Sequence, residues 1–540
     1  MIARRLISWC LGNPFLVGVV AVAMTLWGGW ALVNTPVDAI PDIGEKQVIV
    51  FADWPGRSPQ DVEEQVTYPL TAALEGTPQV KTIRGMSGFG FSMVFVIFDD
   101  DADYYWARSR VLERLSSAKG RLPESVTPVL GPDATALGQV FWYTLEGEGF
   151  SLAELRSLQD WFVRYQLNAV PGVSEVASIG GHVREYQIDV DPDRMRAHRV
   201  MLPEVFEAVR RSNLDVGAKV VEKNGLEFFV RGIGFVKTVA DLENIVIRQE
   251  GGTPLYVKNV ARVTLGPEFR RGALNKDGVE AAGGIVLARV GSNPREVIRA
   301  VKDKVERLSP GLPEKVLPDG RRSKVRLVPY YDRSVIIDET VGMLKDTLTE
   351  ELLCAGLVVL VFLLHIRASL SILATLPLSM ALAYLAMYYL GVDTNIMSAA
   401  GLAIAIGDVA DMGIIMTENI YRHLVGRKGE TGTREGYLKV IEEAAHEVGP
   451  AILMAVTNTI LCFIPVFFLE GEEGKLFKPL AYTKTFAITA SVILALTIVP
   501  SIALLTLKEP SWKRRTRWIT ALVSGLLGCL GTHAVLMWGY

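Results

Sequence analysis

The run Gly401-Leu-Ala-Ile-Ala-Ile-Gly-Asp-Val-Ala-Asp-Met-Gly-Ile-Ile-Met-Thr-Glu-Asn places three carboxylates, Asp408, Asp411 and Glu418, in one otherwise apolar stretch. Successive offsets of three and seven residues put all three on one face of a helix. A charged carboxylate at membrane depth costs about 2.5–3.5 kcal/mol on insertion scales, so such a group is protonated, paired or turned toward water. Apolar surroundings favour its neutral form. An acid that cycles between neutral and charged states is what a proton-coupled machine needs. Asp411 lies well inside the stretch with a second acid one turn away and is the expected proton carrier. Asp408 is as deep and is expected to modulate its neighbour. Glu418 stands toward the end of the stretch, where an interfacial position also accounts for it, and a polar helix-packing contact is the plain alternative for all three.

The same stretch carries glycines at 401, 407 and 413 and alanines at 403, 405 and 410, small surfaces that let neighbouring helices approach closely. Four cysteines, Cys10, Cys354, Cys462 and Cys529, all fall in or beside apolar runs, so no disulfide framework and no CxxC metal site is expected. The six histidines are scattered, and His365, His423 and His446 stand at or near the ends of apolar runs. Asp99, Asp100, Asp101 and Asp103 form an acidic turn before a helix, with Asp103 suited to cap it. There is no GxSxG, HExxH or P-loop, so a membrane-anchored enzyme lacks its machinery. The net charge of -3 offers no basic field for nucleic acid.

The elements that must hold these residues divide the chain in two. With 50% hydrophobic and 21% charged residues among 540, it is part membrane and part water-exposed. Pro14–Val33 is uncharged, follows Arg4 and Arg5, and is long enough to span a bilayer; no small-residue cleavage site marks it as a signal peptide. Further apolar stretches lie at Leu352–Ile366, Leu370–Leu390, Ile396–Thr417, Val448–Leu469 and Tyr482–Leu507, with a last at Trp518–Tyr540, making six to seven spans. The second is short unless its helix begins within the amphipathic Ile336–Glu351. Basic residues gather at Arg367, in the Arg422–Glu447 loop and in Lys508–Arg517, whereas the opposite short loops hold Lys475 and Lys478. The positive-inside rule then exports the roughly 310 residues between the first two spans.

The exported segment has a βαββα rhythm: strand Val48–Phe51, helix Pro59–Leu74, strands Val80–Gly85 and Met93–Phe98, helix Tyr104–Gly120. The rhythm returns with strand Val140–Leu145, helix Leu152–Ala169, strands Val173–Ile179 and Glu185–Val190, and helix Pro203–Ser212. A third, partial copy runs from Gly284 through helix Pro294–Leu308 to strand Lys324–Pro329. Such repeats favour ferredoxin-like subdomains. Residues 220–270 break the rhythm as an inserted module.

Several motifs together resemble a known family. Val62-Glu-Glu-Gln-Val-Thr-Tyr-Pro-Leu, Tyr105-Trp-Ala-Arg-Ser-Arg-Val-Leu-Glu, Gly131-Pro-Asp-Ala-Thr, Leu155-Arg-Ser-Leu-Gln-Asp-Trp, Tyr331-Asp-Arg-Ser, Asn395-Ile-Met-Ser and Leu469-Glu-Gly-Glu-Glu-Gly-Lys-Leu-Phe are similar to the CusA/CzcA heavy-metal efflux pumps of the resistance-nodulation-division superfamily. The resemblance runs from Ile7 to about Leu507 and corresponds to the N-terminal half of such a pump. It implies porter subdomains with a docking insert, and assembly as a homotrimer with periplasmic adaptor and outer-membrane channel proteins. It matches Asp411 to the family's proton-relay aspartate and Glu418 to the acid that ends the motif. Asp408 departs, since the copper/silver branch has a small residue there and the zinc/cobalt/cadmium branch places its extra aspartate near Ala405. Met397 and Met416 match positions where copper and silver pumps pass a soft ion along methionines, while Val409, Ile488 and Phe269 stand where others are expected. A methionine in an apolar span is ordinarily core filler. The family's principal methionine site and the basic partner of its relay lie in a second half, supplied by another chain if the pump is split; a truncated gene or a fragment is the other reading of the chain's length.

The expectation is therefore a membrane α-helical bundle with an α+β periplasmic domain of ferredoxin-like βαββα repeats. Its divisions are 1–35 with the first span, 36–135 as first porter subdomain, 136–335 as second with its insert near 220–270, 336–507 as spans two to six, and 508–540 as a basic segment and seventh span. The function expected is proton antiport of monovalent copper or silver, or of divalent zinc, cobalt or cadmium, in the bacterial inner membrane, with no cofactor beyond the transported ion and protons. The alternative is a non-transporting or truncated subunit that docks adaptor proteins.

Overall fold

The computed structural model describes residues 2–507 apart from residues 251, 271, 364, 365, 428 and 430–432. The chain opens with a helix that sequence reading did not place, α1 (Ile2–Gly12). Its Ile7, Cys10 and Leu11, spaced as one helical stripe, are buried against the membrane helices. Helix α2 (Pro14–Asn34) follows, with proline at its start where no amide partner is lost.

The first α+β body pairs strands β1 (Gln47–Asp53), β2 (Val80–Gly88), β3 (Phe91–Phe98) and β4 (Val129–Leu130) in the antiparallel order β2-β3-β1-β4. Alternation along β1 sends Val48, Val50 and Ala52 inward. They meet two helices. One is a continuous rod, α3, made of Pro59–Val62, a π-helical turn Glu63–Thr67, and Tyr68–Leu74. The other is α4 (Tyr104–Ala118), whose first turn is capped by Asp103 accepting from the Trp106 amide at 2.7 Å. The buried residues of α3, Val62, Val66, Leu70 and Leu74, recur every fourth position. A helix of 3.6 residues per turn would carry that stripe around its axis, and the wider π turn offsets the drift.

The second body repeats this order from a split sequence. Its sheet runs β6-β13-β5-β14, with β5 (Gln139–Glu146), β6 (Val173–Gly180), β13 (Val279–Ala288) and β14 (Arg326–Asp332). Its helices are the rod α5 (Leu152–Leu158, π turn Gln159–Val163, Arg164–Asn168) and α7 (Pro294–Leu308). Leu155, Gln159, Val163 and Leu167 again recur every fourth residue, and all are buried. The stretch expected as a third, partial repeat thus completes the second: without β13, β14 and α7 the sheet would leave Val140, Tyr143 and Val176 uncovered.

Between the halves sits an insert that begins earlier than the expected 220. Strand β7 (Arg184–Val190), read as part of the second repeat, instead pairs with β12 (Ala261–Pro267) throughout its length. The insert also holds helix α6 (Leu202–Ser212), the hairpin β8 (Val216–Lys223) and β9 (Leu226–Gly232), and the hairpin β10 (Val246–Glu250) and β11 (Thr253–Tyr256). It has a small core of its own around Leu242, Val257 and Val263.

The remaining helices are α8 (Arg333–Leu363), α9 (Ile366–Leu390), α10 (Ile396–Gly426), α11 (Arg434–Phe467) and α12 (Gly471–Thr506). Among the described residues, five helical stretches are long and apolar enough to cross a membrane: α2, residues 372–390 of α9, α10, α11 and α12. Of the six to seven expected, Leu352–Ile366 includes positions 364 and 365 and Trp518–Tyr540 lies wholly outside the described residues. Helix α8 does begin early, at Arg333, through the amphipathic segment. The expected Arg422–Glu447 loop is mostly helix, because its charges pair across α10 and α11: His423 Nε2 lies 2.8 Å from Glu447, and Arg427 pairs with Glu443.

Helices α10 and α12 meet where Gly401 has no side chain. A Cβ there would sit 2.2 Å from Thr483 Oγ1 and 2.5 Å from the Leu480 carbonyl oxygen. Gly413 faces Thr375 and Ile372 of α9 more loosely, and Gly407 faces open space. Gly401→Val should therefore force the two helices apart and cost about 1–3 kcal/mol. Gly407→Ala should be neutral or stabilising by about 0.5–1 kcal/mol. Thermal unfolding of the detergent-solubilised chain measures both, and equal effects at the two positions would refute the close approach.

Candidate functional site

Helix α10 starts where it does because Asn395 caps it. Its Oδ1 accepts from the amides of Met397 and Ser398, each at 3.0 Å, and Ser398 Oγ accepts from the Asn395 amide at 2.7 Å. The cap is held by a strap from the linker after α2: the amide of Asp38 donates to Thr394 O at 2.9 Å, and that of Ile396 to Ala39 O at 3.2 Å. Val37 and Ala39 of this strap pack on Ile337 and Val341 of α8.

From that start the three acids fall as their spacing demands. Ile404, Gly407, Asp411, Ile415 and Glu418 form one exposed stripe, with Asp408 half-buried at its edge. The opposite faces, including Leu402, Ala405, Val409 and Met416, are buried against α9, α11 and α12. Among the described residues no ion pair or side-chain hydrogen bond engages Asp411 or Glu418.

Asp408 does have a partner, one that sequence reading passed over. Lys484 of α12 places its Nζ 3.4 Å from Asp408 Oδ2, with only a tenth of its side chain exposed. The ring of Phe463 lies 4.4 Å from the same ammonium. Next to it, Thr483 Oγ1 donates to Ser398 O at 3.0 Å. The signal was present in the sequence: a lysine inside an apolar run marks function as readily as an aspartate does.

The two methionines are not brought together. Met416 is fully buried in the helix core and Met397 is half-buried in the first turn of α10. Nineteen residues of one helix, at 1.5 Å each, separate them by about 28 Å, so no single ion can touch both. Val409 and Ile488 belong to the same apolar core as Met416, and Phe269 is exposed in the α+β part. Among the described residues no group of three histidine, cysteine, aspartate or glutamate side chains is arranged to hold a metal ion.

A cavity of 890 Å³ opens where the first α+β body meets the helices, lined by Asp38, Asp42, Asp100, Asp393, Glu470 and Lys475 among others. It is braced from both sides. Lys475 donates to Gly44 O at 2.8 Å and reaches Asp100 at 2.6 Å. Buried Arg333 donates to Leu137 O and to Asp38 Oδ2, the latter at 2.9 Å. Burial pushes the Asp38 carboxyl above its usual range against the pull of that guanidinium.

Residues 6–526 match the model of the AcrB/AcrD/AcrF family. The cation efflux system protein CusA of Escherichia coli K12 is 44% identical over 508 residues, covering 92% of this chain and 48% of that protein. The cobalt-zinc-cadmium resistance protein CzcA of Cupriavidus metallidurans is 32% identical over 526 residues, covering 95% of this chain and 48% of that one. A crystal structure of a heavy metal efflux pump aligns with a TM-score of 0.78 at 29% identity, over 98% of this chain and 52% of that one. The chain spans about half the length of the relatives it matches.

The junction is testable by titration. The hydrogen bond from Lys475 holds the Asp100 carboxyl below its usual range. The bridge is thus intact above the ordinary aspartate value of about 3.9 and is lost as pH falls through the lower value of the folded chain. Lys475→Ala should move the Asp100 midpoint up toward the ordinary value, read by carboxyl carbon NMR; an unmoved midpoint would remove Lys475 as the cause.

Proposed function

The chain belongs to the AcrB/AcrD/AcrF family, and from that premise we propose that it contributes one half of a proton-driven heavy-metal efflux pump of the bacterial inner membrane. In this reading its helices form six to seven spans and residues 36–335 face the periplasm. The shared strand order of the two α+β bodies supports reading them as ferredoxin-like porter subdomains. The cargo is a heavy-metal cation, monovalent copper or silver, or divalent zinc, cobalt or cadmium. Assembly as a trimer with a second pump half, adaptor and outer-membrane channel follows from the same likeness.

Asp411 carries the reading. It lies deep within an apolar helix, on a stripe that no other described helix covers, and no described cation neutralises it. A carboxylate left charged in that setting is costly, so it takes up a proton when its surroundings are apolar and releases it when water reaches it. That cycle is the elementary step of proton antiport. Glu418, farther along the same stripe, is placed to pass the proton toward the membrane surface, and Asp408 sits beside the carrier. Met416 and Met397, being far apart, would act as separate soft contacts for a passing ion. The uncovered stripe is itself the surface that a second set of helices would close.

A metal-sensitive bacterium expressing the chain together with a candidate second half should gain tolerance to at least one of copper, silver, zinc, cobalt or cadmium. Asp411→Asn should return tolerance to that of the empty strain while leaving the protein in the membrane. Tolerance that survives Asp411→Asn would remove the proton-carrier role. No tolerance in any pairing, with both chains present, would point instead to a non-transporting subunit that docks other proteins.

A further inference from the structure

Lys484 is a cation inside an apolar helix, 8% exposed overall, and nothing in a simple packing role calls for it. We propose that Lys484 is a fixed countercharge for Asp408, a positioning residue that pairs with Asp408 so that Asp411, and not its neighbour Asp408, takes up the proton. The proposal rests on the proton-carrier reading of Asp411 and names the group that makes that carrier single.

The geometry leaves Lys484 little freedom. Its neighbour Thr483 is tied to Ser398 O at 3.0 Å, and Gly401 permits α12 to lie against α10 at that level. From there the side chain reaches Asp408 at 3.4 Å, with its ammonium also over the Phe463 ring at 4.4 Å, a ring face that favours a cation over a neutral amine. An ammonium at membrane depth is retained when paired, and Asp408 is the only described carboxylate within ion-pair distance of it. Four other titratable groups on helices packed against α10 are engaged elsewhere or unsuited. Glu443 and Glu447 of α11 pair with Arg427 and His423 near the far end of α10. Tyr384 of α9 is a phenol, and Glu351 of α8 is an acid and cannot neutralise another.

Two carboxylates one helical turn apart ordinarily interfere, the first ionisation opposing the second, and titrate as a coupled pair. With Lys484 neutralising Asp408, ionisation of Asp411 adds a charge beside a neutral pair instead of beside a bare anion. The adjacent pair Asp408 and Asp411 then behaves as a single titrating site. This also accounts for the presence of Asp408 at all: the two charges come together, and either alone would be an unpaired ion in the bundle.

The test is infrared titration of the protonated-carboxyl band in the full chain reconstituted in lipid vesicles, with carbon-13 aspartate and single variants as difference references. Among the aspartate bands of the wild type, one should be removed by Asp411→Asn, and Asp408→Asn alone should remove none. Lys484→Met should add a second titrating band, removed again in Asp408→Asn/Lys484→Met, and Lys484→Arg should keep the wild-type spectrum. A Lys484→Met spectrum identical to wild type, or a titrating band lost in Asp408→Asn alone, would overturn the pairing. The second arm decides even if Lys484→Met fails to reach the vesicles. A spectrum unchanged by Asp411→Asn would instead sink the proton-carrier reading, while the Asp408 and Lys484 arms still decide the countercharge.

Discussion

The approach of α10 to α12 across Gly401 sets the geometry on which the rest of the acidic helix depends. Because Gly401 has no Cβ, the Leu480 carbonyl and the Thr483 hydroxyl can lie against the α10 backbone, and Thr483 shares its hydroxyl proton between Ser398 O at 3.0 Å and Leu480 O at 3.1 Å. That fixes the rotation of α10 about its own axis. One face then buries Leu402, Ala405, Val409 and Met416, and the other turns Asp411 and Glu418 outward. A small residue at one position thus decides which acid meets a lysine and which is left without an ion-pair partner. Van der Waals packing and interhelical hydrogen bonds are the forces available for such choices where water is absent.

The start of the same helix is held from outside the bundle. The strap Val37–Ala39 hydrogen-bonds to residues 394 and 396 and packs on α8, while Arg333 and Lys475 join the helices to Asp38, Leu137 and Asp100. Movement of the first α+β body would therefore be felt at the cap of α10, and rotation of α10 would be felt at the floor of the 890 Å³ cavity. A physical route between a protonation step and a distant rearrangement needs contiguous contacts of this kind.

Much of this was legible in the residues. The apolar runs located the five described helices long and apolar enough to cross a membrane, because a bilayer demands about 20 apolar residues per helix, and Asp103 was recognisable as a cap before any contact was known. The offsets of Asp408, Asp411 and Glu418 put them on one face as the period of the helix requires. The motifs quoted from Val62 to Phe477 pointed to the family whose model the chain matches. Other features were not legible. Strand β7 has the alternation of a sheet strand whichever partner it takes, so its transfer to β12 could not be read from pattern alone. The halves of the second body lie on either side of the insert, and their union is a long-range pairing that local periodicity does not register.

The sequence by itself determined which residues are costly to place in a membrane, and so which are worth holding there: carboxylates at 408, 411 and 418, and a lysine at 484 that the apolar run around it concealed. It also determined the order of helices and strands in the two α+β bodies, since propensity, capping and hydrophobic period act over a few residues. Only the tertiary structure decided that Asp408 faces Lys484 while Asp411 faces outward, that Met397 and Met416 stand too far apart to share an ion, and that two separated segments make one sheet. The reason is that partnership between helices depends on their rotation and approach, set by contacts between residues far apart in the chain. A one-dimensional pattern carries the period of a helix but not the neighbour it turns toward.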